Sequence, residues 1–242
     1  MKINIFEKGF NYSQDGPGNR LVYHLSGCNM TCPWCSNPEG MSVIDGSFFE
    51  MSVQELTQEA LSSKPMFFDG GGVTFTGGEC TLQFDELLET LKALNSNGID
   101  TCIETNGTSE RLIELSQYID HVIIDLKHPD FEKHKAVTGV GNAVTKQNIK
   151  LLCDAEKDLL IRVPLINGFN TACGDIERFV EFFESVQGEN VRFELLKYHE
   201  YGKSKWEKLG LEYTVQNGFV DDTLRKEFEE KMKRLGLNVV RT

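Results

Sequence analysis

Three cysteines in one short loop have the spacing of ligands for a metal cluster. Cys28, Cys32 and Cys35 are separated by three and then by two residues. Thiolates are the protein ligands of iron–sulfur clusters, and such short spacings allow one loop to wrap around a compact cluster. A [4Fe–4S] cube has four irons, so three cysteines leave one iron without a protein ligand. That open iron can bind a substrate.

The same loop allows two other interpretations. Zinc could bind the three cysteines together with a distant ligand such as His24, or the thiols could bind nothing. Zinc knuckles usually pair two Cys-x2-Cys units, whereas this chain has a single unit, which starts at Cys32. The spacing therefore favours an iron–sulfur cluster over zinc. Trp34, between the last two cysteines, could cover the cluster or simply pack in the core.

Four further cysteines, Cys80, Cys102, Cys153 and Cys173, stand apart from this loop. An odd total of seven cysteines does not suit a disulfide framework. Cys80, next to Glu79, could approach the cluster, but we interpret all four as small buried side chains. No further cysteine lies between Cys35 and Cys80.

Strands and helices alternate along the chain and must position the cysteine loop. Apolar segments predict six strands, at 21–26, 72–78, 101–105, 121–126, 159–165 and 191–196. Helical patterns at 52–63, 82–98, 109–118, 146–156, 173–186 and about 221–235 follow them, and Ser52 and Glu55 have the spacing of a capping box. Such alternation implies βαβ crossovers and a parallel sheet.

The chain length decides between a complete and a partial barrel. A closed eight-stranded barrel takes about 250 residues, and this chain has 242, including an N-terminal segment and a long loop from Gly27 to about Met51. We therefore predict the α/β class, with a partial (βα)6 open TIM-like barrel. With 40% hydrophobic residues, 1–242 should form a single domain.

Polar residues stand at the ends of the predicted strands. Because the carboxyl ends of parallel strands meet at one edge of the sheet, these side chains should converge on one cavity. Two adjacent glycines would also let a ligand approach the backbone closely. The candidate residues are Gly77, Gly78, Glu79, Glu104, Asn106, Asp125, Lys127, Arg162 and His199.

Charge and hydropathy exclude some classes of protein. The net charge of −12 opposes binding to the phosphate backbone of a nucleic acid. No apolar run reaches the roughly 18 residues that a membrane span needs, and the sequence MKINIFEKGF lacks the features of a secretory signal. We expect a cytoplasmic protein that binds neither nucleic acid nor membrane.

The cysteine loop resembles the signature of the radical S-adenosylmethionine (SAM) superfamily, Cys-x3-Cys-x-aromatic-Cys. In that family, SAM binds the open iron of a [4Fe–4S] cluster, and one electron cleaves it to methionine and a 5′-deoxyadenosyl radical. The resemblance implies that Cys28, Cys32 and Cys35 hold this cluster, with Trp34 beside it. It also implies that the strand-end candidates bind SAM, with Gly77, Gly78 and Glu79 at its amino group and Lys127 and His199 as catalytic residues.

Bound SAM would bring a further negative charge to this site. If Glu104 and Asp125 both face the SAM carboxylate, three negative charges gather there. Lys127, Arg162 or a bound monovalent cation would have to compensate them.

Several longer segments resemble the glycyl radical enzyme activating enzymes, the family of the pyruvate formate-lyase activating enzyme. They are Asp15–Arg20 (DGPGNR), Gly70–Thr74 (GGGVT), the E-T-N-G and D-L-K strand ends, and Leu196–Lys203 (LKYHEYGK). Ser36–Gly40 (SNPEG) is more similar to the activators of glycyl radical diol dehydratases and related lyases. Many of those activators carry an inserted ferredoxin-like domain with further cysteines. Because this chain has no cysteine between Cys35 and Cys80, we expect one cluster and no such insertion. The resemblance implies a monomer that removes an α-hydrogen from a glycine of a partner glycyl radical enzyme, with electrons from a flavodoxin or ferredoxin.

Three alternative functions remain at this stage. A radical SAM enzyme of the 7-carboxy-7-deazaguanine synthase type would act on a small molecule, and the DGPG and GGGVT segments favour the activating enzymes over it. The activators of anaerobic ribonucleotide reductase catalyse similar chemistry, but they are similar to chains that are shorter than this one and have a less complete barrel. An iron–sulfur sensor or electron carrier would need the three cysteines but none of the strand-end residues.

Overall fold

Strands and helices alternate in the computed structural model, which describes residues 1–41 and 48–242. The strands are β1 (Lys2–Tyr12), β2 (Asn19–Leu25), β3 (Phe49–Ser52), β4 (Val73–Gly77), β5 (Thr101–Thr105), β6 (His121–Asp125), β7 (Asp158–Leu165) and β8 (Val191–Lys197). The helices are α1 (Val53–Ser63), α2 (Phe84–Ser96), α3 (Leu112–Leu115), α4 (Phe131–Thr138), α5 (Ala143–Asp154), α6 (Cys173–Glu184), α7 (Lys203–Lys208) and α8 (Asp222–Arg234). None of the described helices is long and apolar enough to cross a membrane.

The chain divides into two compact units, and it passes between them inside the cysteine loop. The first unit consists of Met1–Asn29, Asn37–Thr105 and Ser109–Ile123, and the second of Met30–Ser36, Asn106–Thr108 and Ile124–Thr242. Cys28 therefore belongs to the first unit, and Cys32 and Cys35 belong to the second. A single radical SAM domain over 1–242 stays a prediction.

In the first unit, the strand order is β3-β1-β2-β4-β5. β2, β4 and β5 run parallel, as predicted, and β1 is antiparallel to both of its neighbours. Leu25 at the end of β2 pairs with Gly77 at the end of β4, so the start of the cysteine loop lies beside the glycine pair. The buried side chains of this sheet include Ile3, Ile5, Leu21, Tyr23, Leu25, Val73 and Phe75.

The two antiparallel strands, β1 and β3, were absent from the sequence-based interpretation. In β1 the residues after Ile5 are exposed or half-buried, because an antiparallel strand can leave one face in water. Such a strand has no continuous apolar run to indicate it. The loop predicted to extend to about Met51 ends earlier, since β3 begins at Phe49, and residues 42–47 of that loop lie outside the described residues.

The start of α1 agrees with the sequence-based prediction, whereas the length of α3 does not. The capping box is present, because Ser52 accepts a hydrogen bond from the Glu55 N–H and Glu55 accepts one from the Ser52 N–H. The helix predicted at 109–118 is wrong in length: α3 has four residues and continues as a 3-10 turn, Ser116–Tyr118. No side chain caps the start of α3, and short helices without caps are marginal.

A buried arginine connects the amino-terminal ends of three strands in the first unit. Arg20 is fully buried, and its Nε donates to Thr74 Oγ1 at 2.7 Å. One Nη donates to the Val73 carbonyl, and the other lies 2.7 Å from Asp100 Oδ1. Gly71 and Gly72 have no room for a Cβ, because the Asn19 and Asp100 carbonyls fill that space. The DGPGNR and GGGVT segments thus stabilise the sheet edge opposite to the carboxyl ends of the strands.

In the second unit, β7 and β8 are parallel and in register from Leu159 and Val191 onward. Helices α4 and α7 were not among the predicted helices, whereas α5, α6 and α8 correspond to predicted ones. The core of this unit is rich in aromatic rings. It includes Phe179, Phe183, Phe193, Phe228 and Met232, and the Phe183 and Phe193 ring centroids are 4.6 Å apart.

Candidate cluster and cofactor site

In the first unit, the cysteine loop begins on a network of backbone hydrogen bonds. The Gly27 N–H donates to the Gly40 carbonyl at 2.9 Å, and the Glu79 N–H donates to the Gly27 carbonyl at 2.7 Å. Cys28, the next residue, is half-buried. The backbone on the amino side of Cys28 is therefore fixed by the end of β4.

The two glycines of the Gly-Gly-Glu segment are required by the protein's own backbone. Gly77 has φ +111°, a conformation that favours glycine, and a Cβ there would clash with the backbone of Leu25. A Cβ on Gly78 would clash with the carbonyls of Gly27 and Gly40. The close approach that we predicted for a ligand is already made by these two segments of chain, whereas the proposed contact with SAM stays a prediction.

Glu79 is buried and its carboxylate is held from several directions. Glu79 Oε1 accepts hydrogen bonds from the Thr81 N–H at 3.0 Å and from Thr105 Oγ1 at 2.6 Å. The first of these bonds caps the 3-10 turn Cys80–Gln83. The orientation of Glu79 is thus fixed by neighbours that a sequence motif alone does not show.

Glu104 lies near the carboxyl end of β5, and Cys80 follows the carboxyl end of β4. Glu104 is half-buried and accepts a hydrogen bond from Thr76 Oγ1 at 3.0 Å. Cys80 is fully buried, as predicted, and burial together with the Glu79 and Glu104 carboxylates raises the pKa of its thiol well above the usual value.

The prediction that the four cysteines outside the loop are buried is wrong for one of them. Cys102 is buried, as we expected, and Cys153 is half-buried. Cys173 is exposed, because it is the first residue of α6, so its interpretation as a buried side chain is wrong.

In the second unit, the rest of the cysteine loop is held by three different elements. The Thr31 N–H donates to the Thr138 carbonyl at the end of α4 at 2.9 Å. The Trp34 ring packs on the Phe169 ring, with centroids 4.8 Å apart. Helix α7 contacts the end of the loop, because Trp206 Nε1 donates to the Cys35 carbonyl at 2.9 Å.

Lys127 is a predicted strand-end residue whose charge is influenced by two cysteines of this unit. Its Nζ donates to Asp125 Oδ2 at 2.7 Å. Burial by itself lowers the pKa of Lys127, but the Asp125 carboxylate and the sulfur atoms of Cys32 and Cys35 outweigh burial and raise that pKa well above its usual value. The structure therefore brings one cation, one carboxylate and two of the three cysteines together.

The remaining strand-end candidates have other neighbours in the second unit. Asn106 Oδ1 accepts hydrogen bonds from the backbone and hydroxyl of Thr108. Arg162 Nε donates to the buried Glu194 carboxylate at 2.9 Å on the adjacent strand. His199 is half-buried, burial lowers its pKa, and its ring stacks on the exposed Tyr201. Their predicted contacts with SAM stay predictions.

The loop after β7 contacts Lys127 and Trp34, and the sequence did not indicate this role. Asn170 is fully buried, and its side-chain amide donates to the Lys127 carbonyl at 2.9 Å and to the Pro164 carbonyl at 2.8 Å. Its neighbour Phe169 packs on Trp34. One of these carbonyls, that of Lys127, is 43 residues away in the sequence, and a local sequence pattern cannot indicate such a contact.

The three loop cysteines have the chemistry that an iron–sulfur cluster requires. None of the three forms a disulfide with another described residue. Among the described residues, no three His, Cys, Asp or Glu side chains converge on a point that could hold a single metal ion. A [4Fe–4S] cube does not need such convergence, because each thiolate binds a different iron. The three thiols are therefore suitable donors for a cluster, and their role as its ligands stays a prediction.

Comparison with known proteins decides the family. The family model of the Radical SAM superfamily matches residues 22–183. The chain is 36% identical over 213 residues to "Pyruvate formate-lyase-activating enzyme" of Staphylococcus epidermidis, with 84% of each chain covered. This chain belongs to the radical SAM superfamily, in the family of the pyruvate formate-lyase-activating enzymes. The homologous enzyme of Staphylococcus aureus is 35% identical over the same coverage.

Solved structures of radical SAM proteins agree on the fold. A domain of a pyruvate-formate lyase-activating enzyme from Bacteroides vulgatus is 27% identical, has a TM-score of 0.59, and covers 71% of this chain and 98% of that chain. Streptococcus suis SuiB, bound to precursor peptide SuiA, is 19% identical, has a TM-score of 0.68, and covers 90% of this chain and 47% of its own. The predicted α/β class, with an open, partial TIM-like barrel of the radical SAM type, is confirmed.

Proposed function

We propose that this radical SAM enzyme activates a glycyl radical enzyme by removing one α-hydrogen from a glycine of that partner. The curated relatives, named pyruvate formate-lyase-activating enzymes, support this class of substrate. A [4Fe–4S] cluster on Cys28, Cys32 and Cys35 would supply the electron that cleaves SAM. The electron donor would be a flavodoxin or ferredoxin, and the enzyme would work in the cytoplasm as a monomer.

The likeness to these relatives carries the proposal, and the position of Lys127 supports the part of it that concerns SAM. Lys127 pairs with Asp125 beside Cys32 and Cys35, at the end of β6. Asp125 Oδ1 is buried and receives no hydrogen bond from any residue in 1–41 or 48–242. A buried carboxylate oxygen usually has a hydrogen-bond partner, so a polar ligand such as SAM has an acceptor ready here.

The balance of the proposed reaction is simple. One electron and SAM give methionine and a 5′-deoxyadenosyl radical. This radical takes one hydrogen atom from the glycine, which yields 5′-deoxyadenosine and a glycyl radical in the partner. Lys127 and Asp125 would orient SAM, and His199, whose pKa is lowered by burial, would be a neutral imidazole at pH 7.

Electron paramagnetic resonance tests the proposal directly. The anaerobically reconstituted and reduced enzyme is mixed with SAM and a glycyl radical enzyme encoded beside it. We expect a doublet signal from the partner and one 5′-deoxyadenosine for each radical formed. A partner whose glycine is replaced by alanine is the matched control and should give no doublet. Cleavage of SAM that never yields a glycyl signal, but that a small molecule stimulates, would overturn the assignment.

A further inference from the structure

Helix α7 lies directly against the end of the cysteine loop within the second unit. Trp206 is 8% exposed, and its indole N–H donates to the carbonyl of Cys35 at 2.9 Å. A buried indole N–H needs an acceptor. Here the acceptor belongs to the third cysteine of the loop, 171 residues away in sequence.

Gly202 lets the helix come this close. A Cβ on Gly202 would clash with the Cys35 carbonyl and would lie 2.8 Å from the Ser36 Cα. The φ angle of Gly202 is −77°, which any residue can adopt. Glycine is therefore needed here for space and not for backbone conformation.

The indole ring of Trp206 is itself held in place. Its edge packs against the Tyr213 ring, with centroids 5.8 Å apart and planes at 81°. The hydroxyl groups of Tyr213 and Tyr198 are 2.7 Å apart and share a hydrogen bond. Trp206 thus presents its N–H from a packed and fixed position.

We propose that Trp206 is a positioning residue, which fixes the peptide of Cys35 and thereby the direction of its thiolate. The proposal rests on the proposed function, in which Cys35 is a cluster ligand. Groups that orient a metal ligand typically change metal affinity by about 10–100-fold when they are removed. Trp206 and Gly202 lie beyond residues 22–183, which match the superfamily model.

The first test replaces Trp206 with phenylalanine, which keeps an aromatic ring but cannot donate the hydrogen bond. Iron release from the reconstituted protein to a chelator is followed anaerobically. We expect release about tenfold faster than in the wild type, at the low end of such effects, and an altered spectrum of the reduced cluster. The melting temperature of the cluster-free protein should fall only slightly, because the ring packing is kept.

Two matched controls separate this role from a general structural one. Tyr213→Phe removes only a hydroxyl and keeps both the ring that packs against Trp206 and the bond between Trp206 and Cys35, so iron release should match the wild type. Gly202→Ala should accelerate iron release through its clash with Cys35. Gly174→Ala should not, because Gly174 has open space around it.

The possible outcomes distinguish this proposal from the proposed function. A wild-type protein that holds its cluster, together with Trp206→Phe and Gly202→Ala variants that lose iron at the wild-type rate, would overturn the role of Trp206 alone. Equal acceleration in Tyr213→Phe or Gly174→Ala would also overturn it. A wild-type protein that takes up no cluster would overturn both.

Discussion

At the residue scale, the charged groups around Lys127 lead to a prediction about SAM affinity. We expect Lys127→Ala to take up a full cluster, because the cysteines are unchanged, but to bind SAM at least tenfold more weakly. The reason is that hydrogen bonds to charged groups contribute about 1.5–3 kcal/mol. Iron analysis and equilibrium binding of SAM measure the two effects. Lys135→Ala, at an exposed position of α4, is the control, and unchanged SAM affinity in Lys127→Ala would contradict the assignment.

The burial of cysteines leads to a second prediction at this scale. Because burial and two carboxylates raise the pKa of Cys80, its thiol stays protonated near pH 8, and alkylation requires the thiolate. Iodoacetamide should therefore label the exposed Cys173 and leave Cys80 unmodified until the protein unfolds. Mass spectrometry of native and denatured protein measures both. Labelling of the two at similar rates in the native protein would show that the region around Cys80 opens readily.

Candidate residues whose own side chains would bind a cluster or a ligand could be predicted from the sequence. The cysteine spacing and the polar strand ends indicated Cys32, Cys35 and Lys127, and these three lie near one another in the second unit. Trp206 and Asn170 were missed, because each acts on a backbone carbonyl far away in the chain. Any residue type can supply such a carbonyl, so no sequence pattern marks it.

At the scale of elements, the six strands that the sequence predicts could be recognised because each is an apolar run in a chain of alternating strands and amphipathic helices. The antiparallel strands β1 and β3 could not, since most of β1 faces water and β3 has only four residues. The short helices α3 and α7 also escaped a correct prediction, because helices of four and six residues carry little periodic signal. Long, buried strands and helices can therefore be predicted from the sequence. Short or half-exposed ones cannot, because their formation depends on tertiary contacts.

Arg20 shows how one residue stabilises several elements. Its guanidinium is buried among the Asp100 carboxylate, Thr74 and backbone carbonyls. We expect Arg20→Met to lower the free energy of unfolding by roughly 3 kcal/mol, because it leaves these acceptors without their donor. Urea unfolding of the cluster-free protein measures this loss.

The matched control for Arg20 is another arginine that forms an ion pair in water. Arg234 pairs with Glu230, and its side chain is 79% exposed, so Arg234→Met should change the stability very little. Equal losses in the two variants would mean that the contacts of Arg20 do not stabilise β2 and β4.

At the scale of the whole molecule, ligand binding and folding are linked. A ligand that binds only the folded protein stabilises it by about 2.7 kcal/mol at 100 times its Kd. For a chain of this size, each kcal/mol raises the melting temperature by about 2–4 °C. SAM at that concentration should therefore raise the melting temperature of the reconstituted enzyme by about 5–10 °C.

The dependence of this shift on the cluster tests the ligand set. Cys32→Ala should take up no stable cluster, and SAM should then stabilise it much less, because the open iron is missing while Lys127 and Asp125 remain. Cys173→Ala changes an exposed cysteine outside the loop, so it should keep the full shift. Anaerobic thermal unfolding with and without SAM measures all three proteins. If SAM shifted Cys32→Ala as much as the wild type, the protein surface alone would bind SAM, and the three-cysteine assignment would lose its support.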